Sequence, residues 1–189
     1  MWESGTGEDA IKSPYASDAS GDYSLATGVD TEASGYSAHA EGGTTFASGD
    51  FSHTEGGDTV ASNDYAHAEG GNTEASGYCS HSEGSGTVAS KDYAHAEGVG
   101  TTASGSSSHS EGNGTVANHK SQHVFGEYNI PDPSKAISDA RGNYIEIVGN
   151  GDSFNTSNAR TLDWSGNEVL AGKLTVGADP TNNFDVATK

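Results

Sequence analysis

Hydrophobic and polar positions alternate in two short stretches that recur every 14 residues between about residues 17 and 128. In Ala38-His39-Ala40-Glu41 the alanines face one side of an extended chain, and the histidine and glutamate face the other. The second stretch, residues 31–34, places Thr31 and Ala33 on one face in the same way. Glycine pairs such as Gly56-Gly57 separate the stretches. The pattern therefore predicts two short β-strands and two tight turns in each repeat.

The repeat keeps its spacing without insertion or deletion. Seven histidines stand 14 residues apart, and the first six each open the tetrapeptide His-x-Glu-Gly. We call these histidines and their glutamates the ladder: His39, Glu41, His53, Glu55, His67, Glu69, His81, Glu83, His95, Glu97, His109, Glu111 and His123. The glycines that close the motif, the glycine column, are Gly28, Gly42, Gly56, Gly70, Gly84, Gly98, Gly112 and Gly126. Such a unit stacks on its neighbours, so we predict an all-β parallel roll with coils about 4.8 Å apart around a narrow seam of Ala, Ser and Thr.

Composition alone would suggest disorder, because only 31% of the 189 residues are hydrophobic and the formal net charge is −19. The regular repeat outweighs this composition. A seam of small residues buries little area, and at roughly 25 cal/mol per Å² it hardly offsets the entropy of ordering each coil. We therefore expect a homo-oligomer.

Charge and cysteine usage exclude several partners. Only eight lysines and arginines are present, which argues against binding to nucleic acid or to an anionic membrane surface. No apolar stretch approaches the length of a transmembrane helix, so we expect no membrane insertion. Cys79 is the single cysteine and cannot form an internal disulfide, so we expect it to be a packed thiol.

Units such as residues 59–70, Thr-Val-Ala-Ser-Asn-Asp-Tyr-Ala-His-Ala-Glu-Gly, resemble the head repeat of YadA-like trimeric autotransporter adhesins. The period, the Ala-Ser-Gly turn and the closing glycine match, whereas His and Glu replace the Val and Ile common in that family. The resemblance implies a homotrimeric left-handed parallel β-roll with 14-residue coils, followed here by a small C-terminal β-domain. It also implies that the face carrying His and Glu meets the threefold axis.

The residues after the repeat resemble a second group of proteins. Residues 122–130, 147–151 and 157–167 are similar to the segment that follows His-Ala-Glu-Gly repeats in tail-fibre and receptor-binding proteins of phages and prophages. Residues 183–189 resemble the lead into a coiled coil or chaperone module. The resemblance implies a non-enzymatic attachment protein of a virion tail or extracellular particle, with a bacterial surface glycan as its receptor. Alternatives are the head fragment of a bacterial trimeric adhesin at the cell surface, and a wall-glycan-cleaving or self-cleaving tail protein.

The chain divides into a lead-in over residues 1–16, the roll over residues 17–128, and a capping and trimerising β-rich domain over residues 129–189. Pro131 and Pro133 mark the second boundary. Beyond it, residues 144–148 read as a strand, and residues 161–164 and 168–176 as the arms of a hairpin. The apolar residues of these segments are expected to bury more area per residue than the roll.

The His-x-Glu pair is compatible with a metal site, with a catalytic acid and base, or with a repeated structural contact. Its repetition favours the structural interpretation, so we predict no catalytic, cofactor-binding or metal-binding residues. Stacked glutamates about 4.8 Å apart repel one another by roughly 3 to 4 kcal/mol at an effective dielectric near 20. We therefore expect the ladder histidines to hydrogen-bond the ladder glutamates, within or between chains, and acidification to weaken the trimer.

Three smaller sets carry weaker signals. An aromatic set near one turn is compatible with a carbohydrate-stacking stripe or, in our preferred interpretation, with the cover of a seam between protomers: Tyr36, Phe51, Tyr65, Tyr78 and Tyr93. An outward-facing set offers an apolar patch for a partner or a packed or neutral surface: Phe46, Val60, Val88 and Val116. The only carboxylates available to a glycan-cleaving enzyme are non-periodic: Asp132, Asp139, Glu146, Asp152 and Asp163.

Overall fold

The computed structural model describes residues 3–16 and 18–172, and the regular secondary structure of these residues consists of β-strands. The strands are β1 (Glu3–Ser4), β2 (Ile11–Lys12), β3 (Asp18–Ala19), β4 (Leu25–Val29), β5 (Glu32–Ala33), β6 (His39–Gly43), β7 (Phe46–Ala47), β8 (His53–Gly57), β9 (Val60–Ala61), β10 (His67–Gly71), β11 (Glu74–Ala75), β12 (His81–Ser85), β13 (Val88–Ala89), β14 (His95–Val99), β15 (Thr102–Ala103), β16 (His109–Asn113), β17 (Val116–Ala117), β18 (His123–Glu127), β19 (Tyr144–Asn150), β20 (Asn158–Asp163) and β21 (Glu168–Leu170).

Strands β2 to β19 form two parallel sheets that run along one solenoid, and β1 pairs antiparallel with β2. The long even-numbered strands β4 to β18 lie in the first sheet, and the two-residue strands β3 to β17 form the second. Pairing follows the repeat without slippage, so that His67 lies between His53 and His81, and Glu69 between Glu55 and Glu83. Each coil contributes one long and one short strand. The predicted parallel β-solenoid with 14-residue coils is thereby confirmed.

Four columns of small side chains fill the interior. Two come from the long strands and the residue before them, as with Ala38 and Ala40, and both are fully buried. The short strand supplies a threonine column and an alanine column, each at most 1% exposed: Thr31, Thr45, Thr59, Thr73, Thr87, Thr101 and Thr115, and Ala33, Ala47, Ala61, Ala75, Ala89, Ala103 and Ala117. The predicted seam of Ala, Ser and Thr is confirmed. Because these side chains are short, the interior between the two sheets is narrow over the regular coils.

The threonine hydroxyls have two different environments. Thr87 Oγ1 lies 2.8 Å from Ser82 Oγ, and Thr115 Oγ1 lies 2.9 Å from Ser110 Oγ. Where the neighbouring long strand offers alanine instead, as at Ala68 beside Thr73, the buried threonine hydroxyl has no hydrogen-bond partner. The interior therefore contains both satisfied and unsatisfied versions of the same site.

The glycine column closes each long strand for a steric reason. Gly70 has a φ of +105°, which side chains with a Cβ rarely adopt. A Cβ on Gly70 would also overlap the carbonyl oxygen of Gly84 in the next coil. The following residue, Gly71, has no atom within 4 Å of such a Cβ. Only the first of the two glycines is therefore required by the packing of coil on coil.

The parallel ladder continues beyond the regular repeat. Strand β19 pairs in parallel with β18, which places Glu146 beside His123 and Ile147 beside Val124 in the interior. Residues 128–143 form an insertion between these strands. The second sheet ends at β17, where buried Asn129 accepts a hydrogen bond from Val116 N and donates one to its carbonyl oxygen, at 2.8 and 3.2 Å. Asn129 thus takes the place of a further short strand.

A small antiparallel sheet follows, made by β19, β20 and β21. The predicted strand and hairpin are present, although the hairpin arm beyond residue 172, and residues 183–189, lie outside the described residues. Among the described residues of this hairpin, Leu162 and Trp164 are half-buried and Val169 is exposed, and the expectation of deeper apolar burial stays a prediction. This hairpin is the edge of a single sheet, and among residues 3–16 and 18–172 no second layer covers its side chains. The division of the chain into three domains stays a prediction.

Candidate functional site

The ladder lies on the outer face of the first sheet, opposite the interior alanines. Successive histidine rings stack with centroids 4.6–5.0 Å apart and planes within 13° of parallel, from His39 to His123. In the ion pairs of the ladder, the histidine and glutamate side chains are 31–41% exposed. Strand alternation places the ladder side chains on this face, because the residues between them, such as Ala40 between His39 and Glu41, face inward. The shared face of His and Glu is the one that the sequence predicts.

Most ladder histidines lie close to a carboxylate. Six Nε2-to-carboxylate distances fall between 3.4 and 3.9 Å, the shortest joining His109 and Glu97. The Nε2 atoms of six histidines are nevertheless shielded from solvent and have no hydrogen-bond partner within the described chain: His53, His67, His81, His95, His109 and His123. Hydrogen bonding between chains stays a prediction. Residues 3–16 and 18–172 of one chain leave these nitrogens unsatisfied.

Burial and crowding change the protonation of the ladder. The pKa values of His39, His67 and His123 lie below 6.5, first because burial disfavours the charged ring and second because of the neighbouring histidines. Nearby glutamates oppose this shift but do not reverse it. These three rings are therefore predominantly neutral at pH 7.

A shallow groove runs beside the ladder. Its walls are ladder glutamates, and its floor is the glycine column. Thr27 lies at its first end, and Phe125 replaces glutamate at its last end. Because glycine has no side chain, the groove exposes backbone along the whole roll.

An aromatic column runs along the turn that precedes the long strands. It comprises Tyr23, Tyr36, Phe51, Tyr65, Tyr78 and Tyr93, whose successive ring centroids lie 5.1–5.7 Å apart. Five of these six rings, from Tyr36 to Tyr93, are the aromatic set that the sequence indicates. Tyr23 is an additional member. Exposure of 44–59% at Tyr23, Tyr36, Phe51, Tyr65 and Tyr93 leaves much of their surface open. Asp22-Tyr23 has the same form as Asp64-Tyr65, and that pair is the signal that could have found it.

Aspartates in this turn connect neighbouring coils. Asp50 Oδ1 accepts a hydrogen bond from Tyr36 N at 2.9 Å, and Asp92 Oδ1 accepts one from Tyr78 N at 3.1 Å. Asp22 and Asp64 do the same for the amides of Glu8 and Asp50. Each of these aspartates precedes an aromatic residue with φ of 57–60°. This role is not evident from the alternating pattern, although the recurring Asp-aromatic pair marks it.

The outward-facing apolar set is less exposed than the aromatic column. Phe46 is exposed, whereas Val60, Val88 and Val116 are half-buried. Val29 and Val99, which end two long strands, are exposed as well. The outward-facing apolar set does not form a continuous surface, because Glu74 lies between Val60 and Val88, and Thr102 lies between Val88 and Val116.

The five carboxylates considered for an enzyme all serve structural contacts. Asp132 is 3% exposed and accepts hydrogen bonds from the amides of Ser134 and Tyr144, both at 2.9 Å. Glu146 forms an ion pair with Arg160, and Asp139 accepts a hydrogen bond from Ser106. Asp152 and Asp163 accept amide hydrogen bonds within tight turns.

The turn aspartates are also stabilised in their charged form. Hydrogen bonds from the amides of Phe154 and Asn155 lower the pKa of Asp152. The side chain and amide of Asn167 lower the pKa of Asp163. A general acid needs a raised pKa, so neither aspartate suits that role.

A buried polar cluster closes the last regular coil. Gln122 donates to the carbonyl oxygen of Tyr144 at 3.2 Å and accepts from Asn118 N at 2.9 Å. His119 lies beside Asp132, since a Cβ on Gly142 would contact both. The 14-residue period does not predict this cluster, because the cluster joins the roll to the inserted segment. Cys79 is half-buried in the turn before His81.

A scan of protein-family models and a search of curated proteins both find no match for the chain. The class of the protein therefore follows from its fold. The chain is a parallel β-solenoid repeat protein with 14-residue coils and a small antiparallel sheet at its C-terminal end. Across residues 3–16 and 18–172, no helix has the length and apolar character that crossing a membrane requires.

Proposed function

We propose that this protein is a non-enzymatic attachment protein: a trimeric fibre or receptor-binding segment of a phage or phage-derived tail. The unbroken register of the first sheet carries the proposal. Parallel pairing from β4 to β18 without a bulge produces a regular scaffold that presents the same side chains at every coil. Such a scaffold suits multivalent binding, in which many weak contacts add through their effective concentration.

The proposed assembly is a homotrimer of left-handed YadA-like rolls, and two surfaces of one chain support it. The aromatic column lies in the turn before each long strand, and the groove is lined by the third and fourth residues of the long strands. Two different surfaces, one before the strand and one on it, allow a heterologous contact, which closes into a ring when the rotation fits. The ladder then lies at the axis, where the unsatisfied nitrogens face the other chains.

The proposed receptor is a bacterial surface glycan, and the aromatic column is a candidate contact. Exposed aromatic faces in a continuous row offer apolar stacking to sugar rings, and the adjoining aspartates offer hydrogen bonds. The same column also suits the seam between protomers. The virion tail or an extracellular particle is the proposed location, with the bacterial cell surface as the alternative.

A double variant distinguishes the two proposed roles of the aromatic column. Tyr65→Ser and Tyr93→Ser copy Ser107 and Ser121, which two later coils carry at the same turn position with the same positive φ. The double variant is compared with the unchanged chain by sedimentation velocity and by binding to host cells and extracted wall polysaccharides. Loss of the trimer identifies a seam, whereas a trimer that no longer binds identifies the receptor contact.

The same assays test the function itself. We expect the unchanged chain to sediment as a trimer and to bind wall polysaccharide without releasing reducing ends. A monomer at micromolar concentration would contradict the proposed assembly. Release of reducing ends from purified wall would contradict the non-enzymatic role.

A further inference from the structure

We propose that the ladder binds divalent transition-metal ions such as Zn²⁺ or Ni²⁺, each held by two histidines and one glutamate from adjacent coils. In four places the donor atoms of such a trio lie within 4.8 Å of one another. The trios are His39, Glu41 and His53; His67, Glu69 and His81; His95, Glu97 and His109; and His109, Glu111 and His123. Each trio belongs to one chain, so the inference goes beyond the proposed attachment function and does not depend on it.

The donor types select the class of ion. Imidazole nitrogen and carboxylate oxygen together suit Zn²⁺, Ni²⁺ and Cu²⁺, whereas Mg²⁺ and Ca²⁺ prefer oxygen ligands throughout. Two histidines and one glutamate are also a known ligand set for zinc with an open fourth position. Water or a donor from a second copy of the chain can complete the coordination.

The geometry needs only side-chain rotation. Two donors that each lie about 2.0–2.2 Å from one ion are roughly 3 to 4 Å apart. The Nε2 of His109 lies 3.4 Å from Glu97, and the Nε2 of His67 lies 3.8 Å from Glu69. Neighbouring rings are nearly parallel, and an ion lies in the plane of each ring that binds it. One ring of each pair must therefore turn, which the partly exposed histidine side chains allow.

The unsatisfied nitrogens are an independent observation. Six ladder Nε2 atoms are shielded from solvent and have no hydrogen-bond partner among the described residues. Polar atoms in that situation are rare in folded proteins and call for an explanation such as an ion. Binding of three ions would give five of these six lone pairs a ligand bond. It would also place positive charge beside six stacked carboxylates in a chain of net charge −19.

The arrangement fixes the number of ions. The first three trios share no residue, whereas the fourth shares His109 with the third. Seven histidines that bind in adjacent pairs therefore hold three ions per chain, with one histidine left over. Loss of His109 leaves only two such pairs, because His123 then has no partner. Loss of His123 leaves three.

The test uses the full chain in equilibrium dialysis against Zn²⁺, with excess Mg²⁺ present to suppress diffuse binding to carboxylates. The double variant His109→Leu with Glu111→Thr copies Leu25 and Thr27, which the first coil carries at these positions. We expect three ions for the unchanged chain, two for the double variant and three for His123→Leu. Asp58→Asn is the control outside the ladder, since the next coil carries Asn72 there. Three ions in the double variant, or complete displacement by Mg²⁺, would overturn the proposal.

A spectroscopic measurement covers the case in which a variant does not fold. Electron paramagnetic resonance of Cu²⁺ bound to the unchanged chain should show coupling to imidazole nitrogen. A spectrum with oxygen ligands alone would overturn the proposal without any substitution.

Discussion

The two adjacent glycines that end a long strand should respond to alanine in opposite ways. At Gly70 the backbone has a φ of +105°, and a Cβ would overlap the carbonyl oxygen of Gly84. At Gly71 nothing lies within 4 Å, and other coils carry Ser85, Val99 or Asn113 at this position. Both substitutions add the same methyl group to neighbouring residues of one strand. Any difference between them therefore reports local backbone geometry and not hydrophobicity.

The magnitude follows from two costs at Gly70. The disfavoured conformation costs about 1–3 kcal/mol, and moving the next coil costs about 1–3 kcal/mol more, so Gly70→Ala should lose about 2–6 kcal/mol. Gly71→Ala has neither cost, and reduced freedom of the unfolded chain can add up to about 1 kcal/mol of stability.

The assay is urea unfolding followed by far-ultraviolet circular dichroism. With an m-value of about 2 kcal/mol per molar urea, the midpoint of Gly70→Ala should fall by about 1–3 M, and that of Gly71→Ala should not fall. All chains are measured at one concentration, because an oligomer adds a mass-action contribution to stability. Equal losses at the two positions would refute the steric account of the glycine column.

Three further predictions address the interior, the turns and the ladder. Thr73→Val should raise the free energy of unfolding by about 1 kcal/mol, because it removes a buried hydroxyl that has no partner within the described part of the chain. Thr87→Val should lower the free energy of unfolding by about 1 kcal/mol, because it breaks the hydrogen bond to Ser82. Urea unfolding measures both changes. Asp50→Ala should lower the free energy of unfolding by about 0.5–1.5 kcal/mol in the same assay because the amide of Tyr36 loses its acceptor. With a chelator present, acidification from about pH 8 to about pH 5.5 should lower the thermal midpoint. The His67 side chain has a pKa of 6.5 in the unfolded chain and a lower pKa in the folded chain. The unfolded chain therefore binds more protons on acidification and gains stability relative to the folded chain.

Each of these expectations has its own control. Equal changes for the two threonine variants would show that the hydroxyl partner is irrelevant. Asp58→Asn alters an exposed aspartate without such a hydrogen bond, so a loss equal to that of Asp50→Ala would contradict the connecting role of Asp50. The histidine contribution is present above pH 6.5 and is lost as the pH falls through the lowered pKa of the folded ring. His67→Leu should therefore show a smaller loss on acidification, and an unchanged loss would assign the effect to other groups.

The sequence predicts the roll in detail because two periods agree. A strand period of two selects which side chains point inward, and the 14-residue period fixes their register on the next coil. Together they are enough to place His67 over His53 and Ala68 in the interior. The same reasoning fails at β19, because Gly149 follows Gly126 by 23 residues instead of 14. The insertion breaks the 14-residue spacing, so the spacing does not predict which residues of β19 pair with β18. The two segments Val124-Phe125-Gly126 and Ile147-Val148-Gly149 nevertheless share a pattern of two apolar residues and a glycine.

The aromatic column is only partly predictable for a different reason. Its rings occupy two adjacent turn positions, as Tyr36 and Phe51 do, and so they break a strict 14-residue spacing. The turn nevertheless brings both positions to one side, with ring centroids 5.4 Å apart. Turn geometry, with a positive φ at the second of the two positions, decides this and is not visible in an alternating pattern.

A comparison of equivalent positions in the coils of one chain shows which residues the fold of a coil requires. The glycine column is unbroken in eight coils, and a steric reason within the chain explains it. His and Glu recur almost as strictly, yet the first coil has Leu25 and Thr27 in their places, and the last long strands have Phe125 and Val148. These coils pair as the others do, so strand formation does not require the ladder. The recurrence of His and Glu therefore points to a requirement outside the single coil, which contact with other chains or the binding of ions would supply.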